Sequence, residues 1–212
     1  RPVRETPLHS RLVKYNACFG EAAGWERANW YAPQGVETAY QYSFGRQNWF
    51  EHVGVEHKAV RECVGMFDLS SFGKALVQGR DTEAQLQRIC AADMAVPVGK
   101  VVYTQFLNER GGIEADLTVT RLAADKYLVV TAAVSQARDI NWIRRNVQDD
   151  AIVSVEDVTS AYGVLSVMGP NSRQLLSRLS NADFSNERFP FGTCQEIEIG
   201  WLAEDCRALD AS

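Results

Sequence analysis

The stretch GGIEADLTVTR, residues 111–121, constrains the fold more than any other part of the chain. Two glycines, which are typical of a turn, precede a run in which apolar and polar residues alternate without interruption. This period of two predicts a β-strand with one buried face and one polar face. The apolar face carries Ile113, Ala115, Leu117 and Val119, and the polar face carries Glu114, Asp116, Thr118 and Thr120.

The segments around this strand predict a mixture of strands and helices. VVYTQFLN (101–108) is expected to pair with 113–121 in a hairpin whose turn contains Gly111 and Gly112. Because strands and helices do not alternate strictly, the predicted fold class is α+β, with mixed or antiparallel sheets and packed helices. Further strands are predicted over 72–80, 127–130, 152–158, 162–169 and 194–200, and helices over 51–63, after Asp81, over 133–147 and after Pro170.

Each predicted helix has an expected buried side. Asp81 is expected to cap its helix. In that helix, the expected buried residues are Leu86, Ile89 and Cys90. In the helix over 133–147 they are Val134, Ala137, either Ile140 or Asn141, and Val147. In the helix after Pro170 they are Leu175, Leu176 and Leu179.

Residues 1–50 are rich in aromatic side chains and poor in periodicity. Eight aromatic residues lie between Trp25 and Phe50, among glycine and proline residues. We expect little regular structure here, with order supplied by packing on the rest of the protein. Two interpretations stay open: a wrapping segment that supplies buried area, or the wall of a pocket or of a contact between domains.

The composition of the chain argues against several classes of binding partner. The net charge of −5 gives no electrostatic reason to expect nucleic acid or an anionic membrane. No apolar run approaches the roughly 20 residues of a membrane helix. The five cysteines are scattered without C-x-x-C spacing, which favours reduced thiols in an intracellular protein. The chain begins with Arg1 and no signal peptide, so we expect it to be part of a longer protein.

Missing motifs remove several enzyme classes. There is no G-x-G-x-x-G dinucleotide loop and no G-x-S-x-G elbow, and neither Gly-Lys pair is followed by the Ser or Thr of a P-loop. The three histidines, His9, His52 and His57, lack the H-E-x-x-H order, and no metal site is expected because ligands must converge.

Six motifs occur in one order along the chain and together resemble the folate-binding aminomethyltransferase family, which includes the T-protein of the glycine cleavage system. The resemblance covers roughly residues 6–200. It implies the T-protein-like fold and tetrahydrofolate as cofactor. The motifs are TPLHSRL (6–12), GWERANW (24–30), YSFGRQNWF (42–50), EHKAVRECVGMFDLSSFGK (56–74), YTQFLNERGGIEADLTV (103–119) and VMGPNS (167–172).

The second and third motifs are similar to the branch that contains dimethylglycine and sarcosine dehydrogenases. This resemblance implies a flavin domain with FAD in the same polypeptide, before residue 1. Residues 1–50 are then the segment that joins the two domains, and residues 51–212 form the folate-binding domain. The implied location is the cytoplasm of a bacterium or the mitochondrial matrix of a eukaryote.

Asp116 matches the aspartate that the family places beside N5 of tetrahydrofolate. A carboxylate suits this position because it can accept a proton from an attacking amine or favour a cationic iminium. Ala115 stands where T-proteins often have another acid, which leaves Asp116 as the single catalytic candidate. Glu114 is expected to be solvated.

Four further residues match positions that line the folate pocket in the family. Tyr103 could stack on the pterin or form a hydrogen bond with it. Thr131 stands where T-proteins commonly have a pterin-contacting Asn, so a hydroxyl replaces an amide. Met66 and Leu69 lie near the same pocket by resemblance, and both also suit the core.

The family continues beyond the end of this chain into a strand with a pterin-binding Glu and a C-terminal barrel domain. We therefore expect a C-terminally truncated folate domain with weakened folate binding and exposed strand edges. The predicted function is capture of an iminium carbon, derived from an N-methylated amine, as 5,10-methylenetetrahydrofolate. The alternative is a non-catalytic folate-binding or adaptor module of the same fold.

Overall fold

A computed structural model describes residues 4–200 and the backbone of residues 206–209. The helices are α1 His9–Lys14, α2 Phe50–Glu62, α3 Thr82–Ile89, α4 Gln136–Asn146 and α5 Ser172–Leu176. The strands are β1 Ala17–Ala22, β2 Trp25–Tyr31, β3 Gly65–Asp68, β4 Gly73–Gln78, β5 Val101–Leu107, β6 Ile113–Ala123, β7 Lys126–Thr131, β8 Ser154–Asp157, β9 Leu165–Met168, β10 Cys194–Ile197 and β11 Cys206–Leu209.

The chain forms two compact units. The first contains the residues up to Ser71 together with Ser160–Arg173, and the second contains Phe72–Thr159 and the residues from Gln174 on. Within the described residues, no helix is long and apolar enough to cross a membrane. The predicted α+β class is confirmed, because antiparallel sheets are combined with packed helices.

The first unit contains two small antiparallel sheets. Strands β1 and β2 form a hairpin, and β3 pairs with β9. The backbone at Arg4 lies parallel to β2 and forms a bridge with Trp25, so the amino-terminal segment extends the hairpin. Cys18, Trp30 and Ala32 are buried together as the core of this unit.

The second unit is built on a five-stranded antiparallel sheet with the order β5-β6-β7-β4-β8. Alternate residues of these strands face α3 and α4, and this face holds the core because it is the apolar one. Six residues of this core are fully buried: Val77, Leu86, Met94, Phe106, Tyr127 and Ile143.

The hairpin and its alternation are confirmed. The expectation of little regular structure in residues 1–50 is wrong for residues 9–31 and holds for residues 32–49. Ala115, Leu117 and Val119 are buried as predicted, but Ile113 is 68% exposed because a bulge next to the turn shifts it out of step. Residues 1–50 contain α1 and the β1–β2 hairpin. Their short strands lack a clean period of two, which is why periodicity did not find them.

The predicted contacts of the helices need four corrections. Ala137, which was expected to be buried, is exposed in the first turn of α4. Asp81 stands at the N-cap position, directly before α3, but makes no capping bond, because its carboxylate accepts hydrogen bonds from the Ile152 amide and from Arg80. Val134 is 79% exposed, because α4 begins only at Gln136. Leu179 is 47% exposed, because α5 ends three residues before it.

Other predictions for these helices hold in part. Leu86, Ile89 and Cys90 are buried as expected, and so is Ile140. Leu175 and Leu176 are only half-buried. Strand β10 is shorter than the predicted 194–200.

Replacing Val77 by Ala is expected to lower the free energy of unfolding by about 2 kcal/mol, because two methyl groups leave a fully packed core. The matched control is Val134→Ala, on a side chain that is 79% exposed, which should change stability by less than about 0.5 kcal/mol. Urea denaturation followed by circular dichroism measures both. Equal losses from the two variants would contradict the assignment of the core.

Candidate functional site

The β5–β6 hairpin is held by Asn108, the residue that follows β5. The Asn108 Oδ1 atom accepts hydrogen bonds from the amides of Arg110 and Gly112, and its Nδ2 donates to Glu114 at 2.8 Å. Glu114 was expected to be solvated but is half-buried, since it lies at the bulge and pairs with Asn108. Gly111, with φ of 76°, supplies the left-handed turn residue. The Asn108 side chain therefore makes the hydrogen bonds that hold the turn, and the turn fixes the register of the hairpin.

That register brings three polar side chains together on the face opposite the helices. Gln105 lies directly across from Asp116, and Tyr103 lies two pairs further along on the same face, across from Thr118. The Tyr103 hydroxyl donates to Asp116 Oδ2 at 2.7 Å, and Gln105 Nε2 donates to Asp116 Oδ1 at 3.3 Å. Both oxygens of the carboxylate are oriented by neighbours on the same sheet. We call Tyr103, Gln105 and Asp116 the acid–phenol cluster.

The cluster is open to solvent. Tyr103 is 66% exposed, and Asp116 is also exposed. The hydrogen bond to the Asp116 carboxylate raises the pKa of Tyr103 above its usual value of about 10, because ionising the phenol would remove the donor and place a second negative charge there. The hydrogen bond therefore favours folding below about pH 10, and this contribution is lost as the pH rises through the raised pKa.

The same sheet face becomes buried away from the cluster. The row that contains Tyr103 and Thr118 continues through Val130 on β7 to Lys74 on β4. Lys74 is only 1% exposed. The hydroxyl of Thr120 is buried and, among the described residues, has no hydrogen-bond partner. The polar face is therefore exposed at Asp116 and closed a few residues further along.

Thr131 does not join the cluster. It is buried on the helix-facing side of β7, where its hydroxyl donates to the Asp139 carboxylate of α4. Met66 and Leu69 belong to the first unit, where Met66 is 60% exposed and Leu69 is half-buried. Of the three predicted residues in the second unit, the structure brings Tyr103 and Asp116 together.

Two residues of this face were not found by sequence reasoning. Gln105 alternates in step with Tyr103, so its parity was visible, but its contact with Asp116 required the register of the hairpin. Lys74 is a lysine inside the buried run of β4, which is unusual because lysine is almost never fully buried unless it has a partner.

The side chains of the cluster suit a planar, nitrogen-containing ligand. The exposed ring of Tyr103 offers a surface for stacking, and the remaining lone pairs of Asp116 can accept N–H hydrogen bonds or a proton. The pyrimidinone ring of a reduced pterin is planar and carries N–H groups, so these residues suit a ligand of that kind.

Comparison with known proteins identifies the family of the chain. The sequence profile of the GCVT N-terminal domain matches residues 8–211. The chain is 48% identical over 203 residues to 4-methylaminobutanoate oxidase (formaldehyde-forming) of Paenarthrobacter nicotinovorans, covering 95% of this chain and 24% of that protein. It is 35% identical over 200 residues to mitochondrial dimethylglycine dehydrogenase of Mus musculus, covering 94% of this chain and 23% of that protein.

A solved structure supports the same fold. The crystal structure of glycine cleavage system aminomethyltransferase T from Bartonella henselae superposes with a TM-score of 0.74 at 24% identity, over 92% of this chain and 48% of that one. The match confirms the predicted T-protein-like fold. The chain spans about a quarter of the length of the two curated relatives.

The second unit is an α+β domain whose acid–phenol cluster lies on the sheet face opposite its helices. The chain belongs to the GCVT N-terminal domain family, and its relatives include methylamine-oxidising enzymes. The resemblance inferred from the ordered motifs is confirmed.

Replacing Asp116 by Asn is expected to lower the pKa of Tyr103 toward about 10, because the charged acceptor of the phenol is removed. Spectrophotometric titration of tyrosinate, with Tyr103→Phe used to subtract the other tyrosines, measures the midpoint. Asp125→Asn, at an exposed turn between β6 and β7, is the control and should leave the midpoint unchanged. An unchanged midpoint in Asp116→Asn would mean that the phenol–carboxylate bond is absent in solution.

Proposed function

We propose that this chain is the tetrahydrofolate-binding, one-carbon-transfer part of a larger protein similar to dimethylglycine and sarcosine dehydrogenases. The substrate class is an N-methylated amine, oxidised by a flavin domain in the same polypeptide, with residues 1–50 as the connection between the two. The proposed location is the cytoplasm of a bacterium or the mitochondrial matrix of a eukaryote.

The observation that carries the proposal is the acid–phenol cluster, in a chain of the GCVT N-terminal domain family. A strand residue on a wet face usually has no fixed partner, but both oxygens of Asp116 accept hydrogen bonds from β5. Such fixed orientation is what a catalytic carboxylate needs, since proton transfer depends on geometry before pKa.

When bound, tetrahydrofolate would supply a secondary amine that takes up a carbon at the oxidation level of formaldehyde. The role of Asp116 is to accept the proton that this amine releases, and its negative charge favours a cationic iminium nearby. Tyr103 keeps its proton at neutral pH, since the pKa of a phenol is about 10 and Asp116 raises it further, so Tyr103 acts as a hydrogen-bond donor and as a stacking surface. Gln105 holds the second carboxylate oxygen and so limits rotation of the acid.

The pocket residues Met66, Leu69 and Thr131 remain part of the proposal with smaller roles. Met66 offers exposed apolar surface in the first unit. The proposed role of Thr131 is structural, because its hydroxyl donates a hydrogen bond to Asp139 in the first turn of α4.

A second candidate function is release of the carbon as free formaldehyde. The name of the Paenarthrobacter nicotinovorans relative favours it, because that oxidase is described as formaldehyde-forming. The two candidates differ in the destination of one carbon atom, which can be measured directly.

Titration of tetrahydrofolate into the full-length gene product, under anaerobic conditions in a calorimeter, is expected to show one saturable site. Tyr103→Phe keeps the ring and should bind almost as well, whereas Tyr103→Ala should weaken binding by about fivefold because a stacking surface worth roughly 1 kcal/mol is lost. The control Tyr15→Ala alters a tyrosine that is 73% exposed in the first unit. Equal binding by Tyr103→Ala and the wild type would show that folate does not bind at this face of the sheet.

Transfer itself is tested by incubating the full-length gene product with N-methylated amine and tetrahydrofolate and measuring formaldehyde and 5,10-methylenetetrahydrofolate. In the wild type, the folate product is expected to rise as free formaldehyde falls. Asp116→Asn should reduce the rate of transfer by about 10²–10⁴-fold and change the affinity for folate by less than tenfold, because a proton acceptor is lost while the shape remains.

Asp125→Asn, at the exposed β6–β7 turn, is the matched control for this assay and should retain full transfer. Formaldehyde release that is unaffected by folate would favour the second candidate. Folate binding without any transfer would support a non-catalytic binding module, and the absence of both would support an adaptor.

A further inference from the structure

Three potential metal ligands meet in the first unit. They are Glu5, His9 and Glu26, and one ligand atom of each lies within 4.8 Å of the others. His9 Nε2 is 2.6 Å from Glu26 Oε2, and His9 Nδ1 is 3.6 Å from Glu5 Oε2. We call these three residues the amino-terminal cluster. The H-E-x-x-H pattern does not describe it, because Glu5 comes from the amino-terminal segment, His9 from α1 and Glu26 from β2.

Backbone contacts hold the two carboxylates near each other. The Arg4 amide donates to the Gly24 carbonyl, and the Glu26 amide donates to the Arg4 carbonyl, both at 2.8 Å. Glu5 therefore follows a residue that is fixed against β2, the strand that carries Glu26.

His9 is also held in place. It begins α1, and its amide donates to the carbonyl of Thr6, which is 8% exposed and bonded through its hydroxyl to Asp68. The imidazole lies against the ring of Phe19, with 4.5 Å between centroids. The cluster is therefore pre-organised by elements on three sides.

The charges in the cluster do not balance by themselves. Among the residues that the structure describes, His9 is the basic group found within 4 Å of Glu5 or Glu26, and no lysine or arginine pairs with either. Two carboxylates carry a charge of −2, and one imidazole supplies at most +1. A divalent cation beside a neutral imidazole would balance the two carboxylates, and imidazole together with carboxylate is a ligand set that suits first-row transition metals.

We propose that Glu5, His9 and Glu26 bind a divalent transition-metal ion of the Zn²⁺ class, with water in the remaining position. The side chain of Glu5 is 61% exposed, so the site is open to solvent on that side. Tetrahedral ligands at about 2.1 Å from zinc lie about 3.4 Å apart, so the three ligand atoms need to shift by about an ångström. The ion links the amino-terminal segment and α1 to β2, which makes it a structural clip.

Calorimetric titration of ZnCl₂ into the tag-free full chain under reducing conditions tests this site. The expected result is one equivalent of bound Zn²⁺, with affinity lowered at least about tenfold in His9→Gln and in Glu26→Gln, and less in Glu5→Gln, whose side chain is the most exposed. The matched controls are His57→Gln and Glu62→Gln, at exposed positions of α2, and both should bind as the wild type does.

Substitution of Co²⁺ separates this site from the cysteines. Nitrogen and oxygen ligands give visible d–d bands without the thiolate charge-transfer band that a cysteine ligand produces, and the d–d bands should disappear in Glu26→Gln. Circular dichroism identifies any variant that fails to fold, in which case Glu5→Gln decides the question, since a largely exposed side chain can be changed without loss of the fold. The absence of saturable binding, or binding that survives in all three variants, overturns the proposal.

Discussion

The hydrogen-bonded register between β5 and β6 is the constraint on which the rest of the second unit depends. Side chains of a strand alternate between faces, so a slip of one residue would move Phe106 and Leu117 out of the core and turn Asp116 into it. The turn at Asn108 prevents that slip, because one side chain binds two amides and a carboxylate within the turn. The burial of the core and the orientation of the acid are thus two consequences of one pairing.

The two faces of the five-stranded sheet have different roles: one packs the core and the other carries the polar cluster. Its helix-facing side is closed by α3 and α4, and even the polar residue Thr131 serves there to bind the buried carboxylate of Asp139. The opposite side carries the acid–phenol cluster, where Tyr103 and Asp116 remain open to solvent. A ligand that binds this side does not have to disturb the core, which explains how one family fold can be joined to different amine-oxidising enzymes.

Local patterns in the sequence predicted the part of the fold that local rules control. The alternation over 113–121 identified β6 and placed Asp116 on its polar face, and the ordered motifs identified the family. What the patterns missed depends on contacts between distant residues. The β1–β2 hairpin has no clean periodicity, the bulge that exposes Ile113 is set by the turn, and the partners of Thr131 and His9 come from other elements. No spacing rule encodes such contacts.

The proposed function requires reduced folate to bind at the acid–phenol cluster. A crystal structure of the full-length gene product, grown anaerobically with tetrahydrofolate, shows whether it does. We expect density for the bicyclic ring against Tyr103, with a ring N–H within hydrogen-bond distance of Asp116, on the sheet face opposite α3 and α4. Density bound elsewhere, with Tyr103 and Asp116 still facing solvent, would show that the cluster is not the folate site.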